Sequence, residues 1–434
     1  METGAIISNQ DVAIVANTIA SISPHGSNLK GKTIVDGKDK YLIPGLWDMH
    51  EHMMRNKWYM SQMPLLRANG ITGFREMWGD LEIANSVRSQ IKKDILPHFR
   101  FTASGHILDG KTPFWGGSIP VATEEKAIQI VDSLVREKAD FIKVYSFLAP
   151  HVFHAIADRC KEKNISFAGH VPHRVWLTDA SEAGMASMEH LYGFLIEACS
   201  DRDSAMTLTR QSAIAFEKGD KEERKKINRL FYSLVLENFS EVRLRSIAQT
   251  LKKNNTHIVP TLVTLRGEYF TNDTSFTKDP RLKYMSKETL DYWAETKEND
   301  MKENTESDWE NKRKRWQIEQ QIMRILISEQ VPIMAGTDAD NPYAFPGFSL
   351  HDELALYVEC GMTPLEALRS ATIVPIEYLK MTDSLGAIKK GKLADLVLLE
   401  GNPLENIRNT RKINAVIANG KLYGREYIES VLKN

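Results

Sequence analysis

Residues 41–52 read YLIPGLWDMHEH, and the fold turns on this stretch. Residues 41–47 make a short apolar strand that runs into a polar cluster, DMHEH. Alternation places residues i and i+2 on one side of a strand, so His50 and His52 point the same way. Two same-side imidazoles at a strand's C-terminal end can hold one zinc-like ion. The C-terminal ends of parallel strands are where barrel enzymes keep their chemistry. Taken alone, a His-x-His pair is more often ordinary polar packing or chance than a metal site.

Outward from this strand, to about Leu379, β-branched apolar runs alternate with amphipathic helical stretches. The runs include residues 73–77, 141–145, 166–170, 187–190, 258–262 and 332–335. Such alternation is the sequence appearance of repeated βα units on a parallel sheet. No period of ~20–50 residues recurs. Both ends are β-rich: residues 11–35 carry short runs broken by Pro24, Gly26 and Gly31, and residues 391–423 carry three more. The ends are therefore expected to pair into one small sheet domain. Between residues 191 and 320 the chain carries two charged, helix-favouring stretches, 217–251 and 282–320, with one strand candidate at 258–265. They read either as a solvated helical insertion or as a lid over a site.

A length of 434 residues allows two or three domains, and 42% hydrophobic with 26% charged residues is an ordinary globular mix. Lys+Arg 56 against Asp+Glu 57 gives a net charge of −1. That balance argues against nucleic acid or an anionic membrane as the main partner. Cys160, Cys199 and Cys360 are too scattered for a disulfide framework or a cysteine-based zinc site. No run of about 18 apolar residues exists to span a membrane. No signal peptide is visible, yet the chain enters at once on a strand-like pattern, as in a trimmed form. Cytoplasmic and exported locations both remain open, as does a homo-oligomer.

Four further residues end or occupy apolar runs. His170 (FAGH) and His190 (SMEH) close successive βα candidates, and Asp338 closes VPIMAGTD. Each has a plain alternative: a structural histidine, or an aspartate serving as a helix N-cap. Lys143 lies inside FIKVY, where its neighbours imply burial. A buried lysine is expensive unless paired or chemically altered, and a neutral amine can take up CO2 to give a carbamate.

The order His-x-His, Lys, His, His, Asp at successive strand ends resembles the amidohydrolase superfamily, with members similar to imidazolonepropionase and to carboxylysine-containing prolidases. The resemblance runs over nearly the whole chain. YLIPGLWDMHEH looks like the family's first-strand signature, and GITGFREMWGD like the strand that follows. ADFIKVY looks like the carboxylated-lysine strand, and AGHVP, SMEHL and MAGTDA like the later metal strands. SLHDELALYVECGMTPLEALRSATIVPIEYL and LGAIKKGKLADLVLLEGNPLENI look like the C-terminal helices and returning β-domain.

The resemblance implies an α/β fold: a (β/α)8 TIM-like barrel with a small β-sandwich domain formed by both chain ends. Residues 1–43 and 383–434 would make the β-domain, and 44–382 the barrel with its helical insertion at about 191–320. It also implies two divalent metal ions, zinc being the first choice by ligand type, with Mn, Fe or Co compatible. His50, His52 and Asp338 would hold one ion, and His170 and His190 the other, with carboxylated Lys143 and a hydroxide bridging them. Asp338 would also shuttle the proton. The implied activity is hydrolysis of an amide-like C–N bond in a small molecule: an N-acyl amino acid, a dipeptide or a cyclic amide. A deaminase or a lactone hydrolase on the same scaffold is the alternative, and a non-catalytic scaffold relative is a third reading.

Substrate contacts are expected from His106 and Trp115 in the Gly-rich loop SGHILDGKTPFWGG, from Tyr192, and from His351 in SLHDE; loop packing is the alternative for each. Two departures from the prolidase pattern speak against an Xaa-Pro dipeptidase. Leu265 and Arg266 stand where those members show a tyrosine, and KTPFWGG replaces a Gly/His-rich loop.

Overall fold

The computed structural model describes residues 4–26, 31–55 and 58–433. β1 (Gln10–Val15) and β2 (Thr18–Pro24) form an antiparallel hairpin. Next come β3 (Tyr41–Pro44) and β4 (Leu46–Glu51), which belong to different sheets. The single strand expected over residues 41–47 is therefore two strands broken at Gly45. A Cβ at Gly45 would lie 2.1 Å from Thr72 Oγ1, so only glycine lets the chain pass residue 72 as it changes sheet.

β5 (Ile71–Glu76) lies parallel between β4 and β6 (Arg100–Ala103). A second parallel sheet contains β7 (Leu108–Asp109), β8 (Ile119–Pro120), β9 (Phe141–Val144), β10 (Ser166–Gly169), β11 (Ser187–Glu189) and β12 (His257–Val259). Its order is β12-β11-β10-β9-β7-β8. Every residue of β4, β5, β9 and β11 is buried. That matches strands covered on both faces, which read as continuous apolar runs rather than alternating ones.

Hydrogen bonds join the two parallel sheets at two places. Asp140 N donates to Ala103 O at 2.9 Å, linking β6 to the start of β9. On the other side the run 332–335 makes an isolated parallel bridge, Ile258 to Ile333, rather than the strand expected there. Met334 N donates to Ile258 O and Met49 N to Ala335 O, both at 2.9 Å, so this run lies between β12 and β4.

The two ends of the chain meet in one sheet through β3. β13 (Leu396–Leu399), β14 (Ile413–Ala418) and β15 (Lys421–Tyr423) form a sheet that β3 completes, in the order β15-β14-β13-β3. β3 pairs antiparallel with β13, Tyr41 opposite Leu399 and Pro44 opposite Leu396. The β1–β2 hairpin reaches this sheet through a Thr18–Leu393 bridge and a small core of Ile19, Ala394, Leu396 and Ile417. Arg100 at the start of β6 grips Asp395 beside β13 at 2.5 Å, tying sheet to body.

The insertion is helical, with helices at Arg202–Glu217, Lys221–Glu237, Glu241–Lys253, Leu262–Tyr269, Lys287–Glu303 and Glu306–Ser328. The strand expected to run on to residue 265 stops at Val259. Thr261 turns left-handed (φ 48°), and the buried Glu353 carboxylate accepts from Leu262 N and Val263 N, both at 2.8 Å. A carboxylate on two free N–H groups anchors a helix N-terminus. Here it arrives from 90 residues downstream, which local sequence cannot announce.

Candidate metal centre

β4 delivers His50 and His52, and the run after β12 delivers Asp338. Asp48 fixes their relation. Its Oδ1 accepts from His50 N (3.1 Å) and Thr337 N (3.0 Å), and its Oδ2 from Thr337 Oγ1 (2.7 Å). Asp338 is thereby held against β4 in the left-handed region, φ 56°. Its Oδ1 lies 2.8 Å from His52 Nε2 and 3.5 Å from His50 Nε2. One ligand atom from each of the three residues lies within 4.8 Å of the others.

The donors fit a cation. Among the described residues His50 Nε2 and His52 Nδ1 are buried with no hydrogen-bond partner, a costly state unless something else satisfies them. Burial first, then the neighbouring Lys143, holds His50 well below the ordinary histidine range, so the ring is neutral and able to ligate. Burial pushes the Asp338 carboxyl up, but His190, His52 and Lys143 outweigh it and hold the group below the usual carboxylate range.

Two more histidines and the lysine close on the same spot. His190 follows β11 with φ 62°, and its ring centre lies 4.6 Å from that of His50. His170 follows β10, its ring 4.7 Å from His190. Burial pulls His190 down to about 3 and His170 well below its ordinary value. The Nδ1 atoms of three rings are engaged by protein: Glu189 Oε2 at 2.8 Å for His50, Ser146 Oγ at 2.9 Å for His170, Thr261 Oγ1 at 2.7 Å for His190. Such contacts set ring orientation around a metal. Lys143 on β9 is 1% exposed, and burial pulls its amine down to about 8 against the opposing pull of Glu189 and Asp338. β10 makes room for it: a Cβ at Gly169 would lie 3.0 Å from Lys143 Cδ and 2.2 Å from Val144 O. His50, His52 and Asp338 thus form one compact group, with His190 and His170 ring to ring beside it and Lys143 buried nearby.

What the sequence reading missed is the scaffold beneath it. Glu189, wholly buried, binds His50 and also pairs with Arg75, whose Nη2 contacts both carboxylate oxygens at 2.9 and 3.0 Å. Arg75 further donates to Met49 O, Ser187 Oγ and Tyr378 OH. A signal was available. Both are charged residues inside apolar strands, the argument that singled out Lys143. Tyr145 is a second omission: it stacks on His170 at 3.8 Å and accepts a hydrogen bond from Trp115 Nε1 at 2.8 Å.

A cavity of about 300 Å³ opens beside the centre, with Tyr145, His170 and Tyr192 on its near wall. Of the expected substrate contacts, Tyr192 lines it and Trp115 buttresses it through Tyr145. His106 lies outside the lining, its Nδ1 on Gly117 O at 3.1 Å. His351 is placed elsewhere altogether: it belongs to the helix Phe348–Glu359, 1% exposed, with ring nitrogens on Thr410 Oγ1 (3.0 Å) and Asn69 O (3.1 Å). Both of its polar atoms are already used within the protein.

Among the described residues no helix is long and apolar enough to cross a membrane. Compared with known proteins, residues 41–423 match the sequence model of the Amidohydrolase family. Ochratoxinase of Aspergillus niger is 36% identical over 102 residues, which is 22% of this chain and 20% of that one. Imidazolonepropionase of Desulfotalea psychrophila is 32% identical over 83 residues, 18% of this chain and 19% of that one. The matched segments thus span about a fifth of each curated relative. The crystal structure of a Xaa-Pro dipeptidase with bound methionine superposes with a TM-score of 0.65 at 19% identity, covering 95% of this chain and 94% of that one.

Proposed function

The chain belongs to the amidohydrolase family, and on that premise we propose that it is a metal-dependent hydrolase of an amide-like C–N bond in a small molecule. We read the linked parallel strands β4, β5, β6 and β9–β12, with residues 332–335, as a (β/α)8 barrel spanning residues 44–382. Residues 1–43 and 383–434 then form its companion β-sandwich domain. One observation carries the functional reading: the meeting of His50, His52, His170, His190, Lys143 and Asp338 at the C-terminal ends of these strands.

His50, His52 and Asp338 would hold one divalent ion and His170 and His190 a second, zinc being the first choice for imidazole and carboxylate donors. Such ions, when bound, make water acidic enough to act as a nucleophile near neutral pH and polarise the scissile carbonyl. Lys143 completes the ligand set: burial lowers its amine to about 8, so a fraction is unprotonated near neutral pH, and that fraction adds to CO2, forming an N–C bond and releasing a proton. The resulting carbamate anion suits a site lined by neutral imidazoles. Glu189 keeps the His50 ring and its proton in place. The ionised Asp338 carboxylate accepts the proton of the attacking water and returns it to the leaving nitrogen, whose departure as a neutral amine requires it.

The buried Lys143, its amine lowered by burial, favours this centre over a mononuclear deaminase, which has no use for it. The test is a screen of metal-loaded protein against N-acyl amino acids, dipeptides, cyclic amides and lactones, with metal content measured on the same sample. Amide turnover dependent on stoichiometric metal is expected. Lactone turnover without amide turnover, or a protein that binds no divalent ion, overturns the reading.

A further inference from the structure

The insertion supplies the far wall of the cavity, and among the described residues one of its arginines there makes no ion pair. Arg224, on the helix Lys221–Glu237, lines the cavity with its Nε buried and unpartnered. Among the described residues no carboxylate lies within salt-bridge reach of it. Nearby arginines differ. Arg315 is held by Glu319 and Tyr232, and Arg174 by Glu217. Arg224 is instead positioned by rings, its guanidinium carbon 4.8 Å from the centre of Phe216 and 5.7 Å from Phe114. Phe216 stacks on Phe147 at 4.2 Å, and Phe147 and Phe114 face the cavity. An aromatic wall therefore joins the histidine centre to an uncompensated cation.

We propose that this cavity takes a substrate with a flat apolar body and a terminal carboxylate, the carboxylate binding Arg224 and the body lying along Phe114 and Phe147. A guanidinium offers paired N–H donors that match a carboxylate, and stacked rings leave those donors free while holding their direction. The proposal rests on the hydrolase reading for which bond is cut, but the recognition stands on the cavity alone. It also gives the charged insertion a use: most of its charges face water, and this one faces inward.

The test compares 3-phenylpropanoate with the neutral 3-phenylpropanol, neither of which can be hydrolysed, by calorimetric titration of the metal-loaded protein. The wild type is expected to bind the acid at least about tenfold more tightly than the alcohol, the worth of one charge-assisted hydrogen bond. Arg224→Met should abolish that preference while leaving alcohol binding within about twofold, and Arg224→Lys should restore part of it. Equal binding of acid and alcohol by the wild type overturns the proposal. So does an acid preference that survives in Arg224→Met, which would place the carboxylate on the metals. If binding discriminates as described but no amide is cleaved, the hydrolase reading fails and the carboxylate site does not.

Discussion

Replacing Glu189 by glutamine removes one charge and leaves the shape of the side chain nearly unchanged. In the folded protein this carboxylate is fully buried, contacts Arg75 Nη2 with both oxygens, and binds His50 Nδ1 at 2.8 Å. The substitution strands the buried Arg75 guanidinium, and an uncompensated buried charge costs about 3–5 kcal/mol. For a chain of this length the unfolding entropy is about 0.9 kcal/mol per kelvin, so Tm should fall by roughly 4 °C. Calorimetry of the metal-stripped protein measures this without interference from metal binding. Losing the partner that orients His50 should separately weaken metal affinity by about 10–100-fold, read by competition with a chromogenic chelator. The double variant Arg75→Met, Glu189→Met should regain much of the stability but none of the affinity, because apolar replacements of an ion pair remove the stranded charge and not the orienting defect. A Tm change in Glu189→Gln below about 1 °C, or full affinity in the double variant, would refute the reasoning.

Lys143→Ala should lower bound metal from two equivalents to one or none by elemental analysis, and a short carboxylic acid supplied in solution should restore part of it. Retention of two equivalents excludes the carbamate bridge. Asp338→Asn, assayed at saturating metal, should lower kcat by about 10²–10⁴; a loss below tenfold removes Asp338 from proton transfer. Burial pulls His351 down to about 4 from its ordinary 6.5. The folded state then binds fewer protons than the unfolded one between those values, so the contribution is full above pH 6.5 and lost as pH falls toward 4. It amounts to about 3 kcal/mol. His351→Gln should flatten urea stability over that window, and an unchanged pH slope would count against it.

The candidate ligands were legible because each interrupts an apolar run, and a polar side chain at such a place needs a reason. His50 and His52 also declare their shared direction through spacing alone. The terminal sheet was legible only in part: both ends read as β-rich, but the N-terminal strand that enters the sheet is β3, while β1 and β2 pair with each other. Long-range contacts escaped. Nothing near residues 258–265 says that Glu353 will cap a helix there, so TLVTL reads as strand. Nothing near His351 says that Thr410 and Asn69 will claim its ring, so a core residue looks like a loop residue beside a site. In the insertion, composition reports that most charges meet water, but not that Arg224 turns toward the cavity.

The pairing of β3 with β13 sets a constraint on synthesis. Tyr41 meets Leu399 across the sheet, so when β3 leaves the ribosome its partner is more than 350 residues away. At about 5–20 residues per second, β3 waits roughly 20–70 s with both edges unpaired. The protein body can begin to assemble during that interval, since β4 pairs with β5 only some 25 residues later. The terminal sheet cannot, and an unpaired apolar edge is an invitation to aggregation. Nascent chains halted before residue 396 should therefore hold chaperones on residues 41–44, and moving this strand to follow β15 by circular permutation should release them.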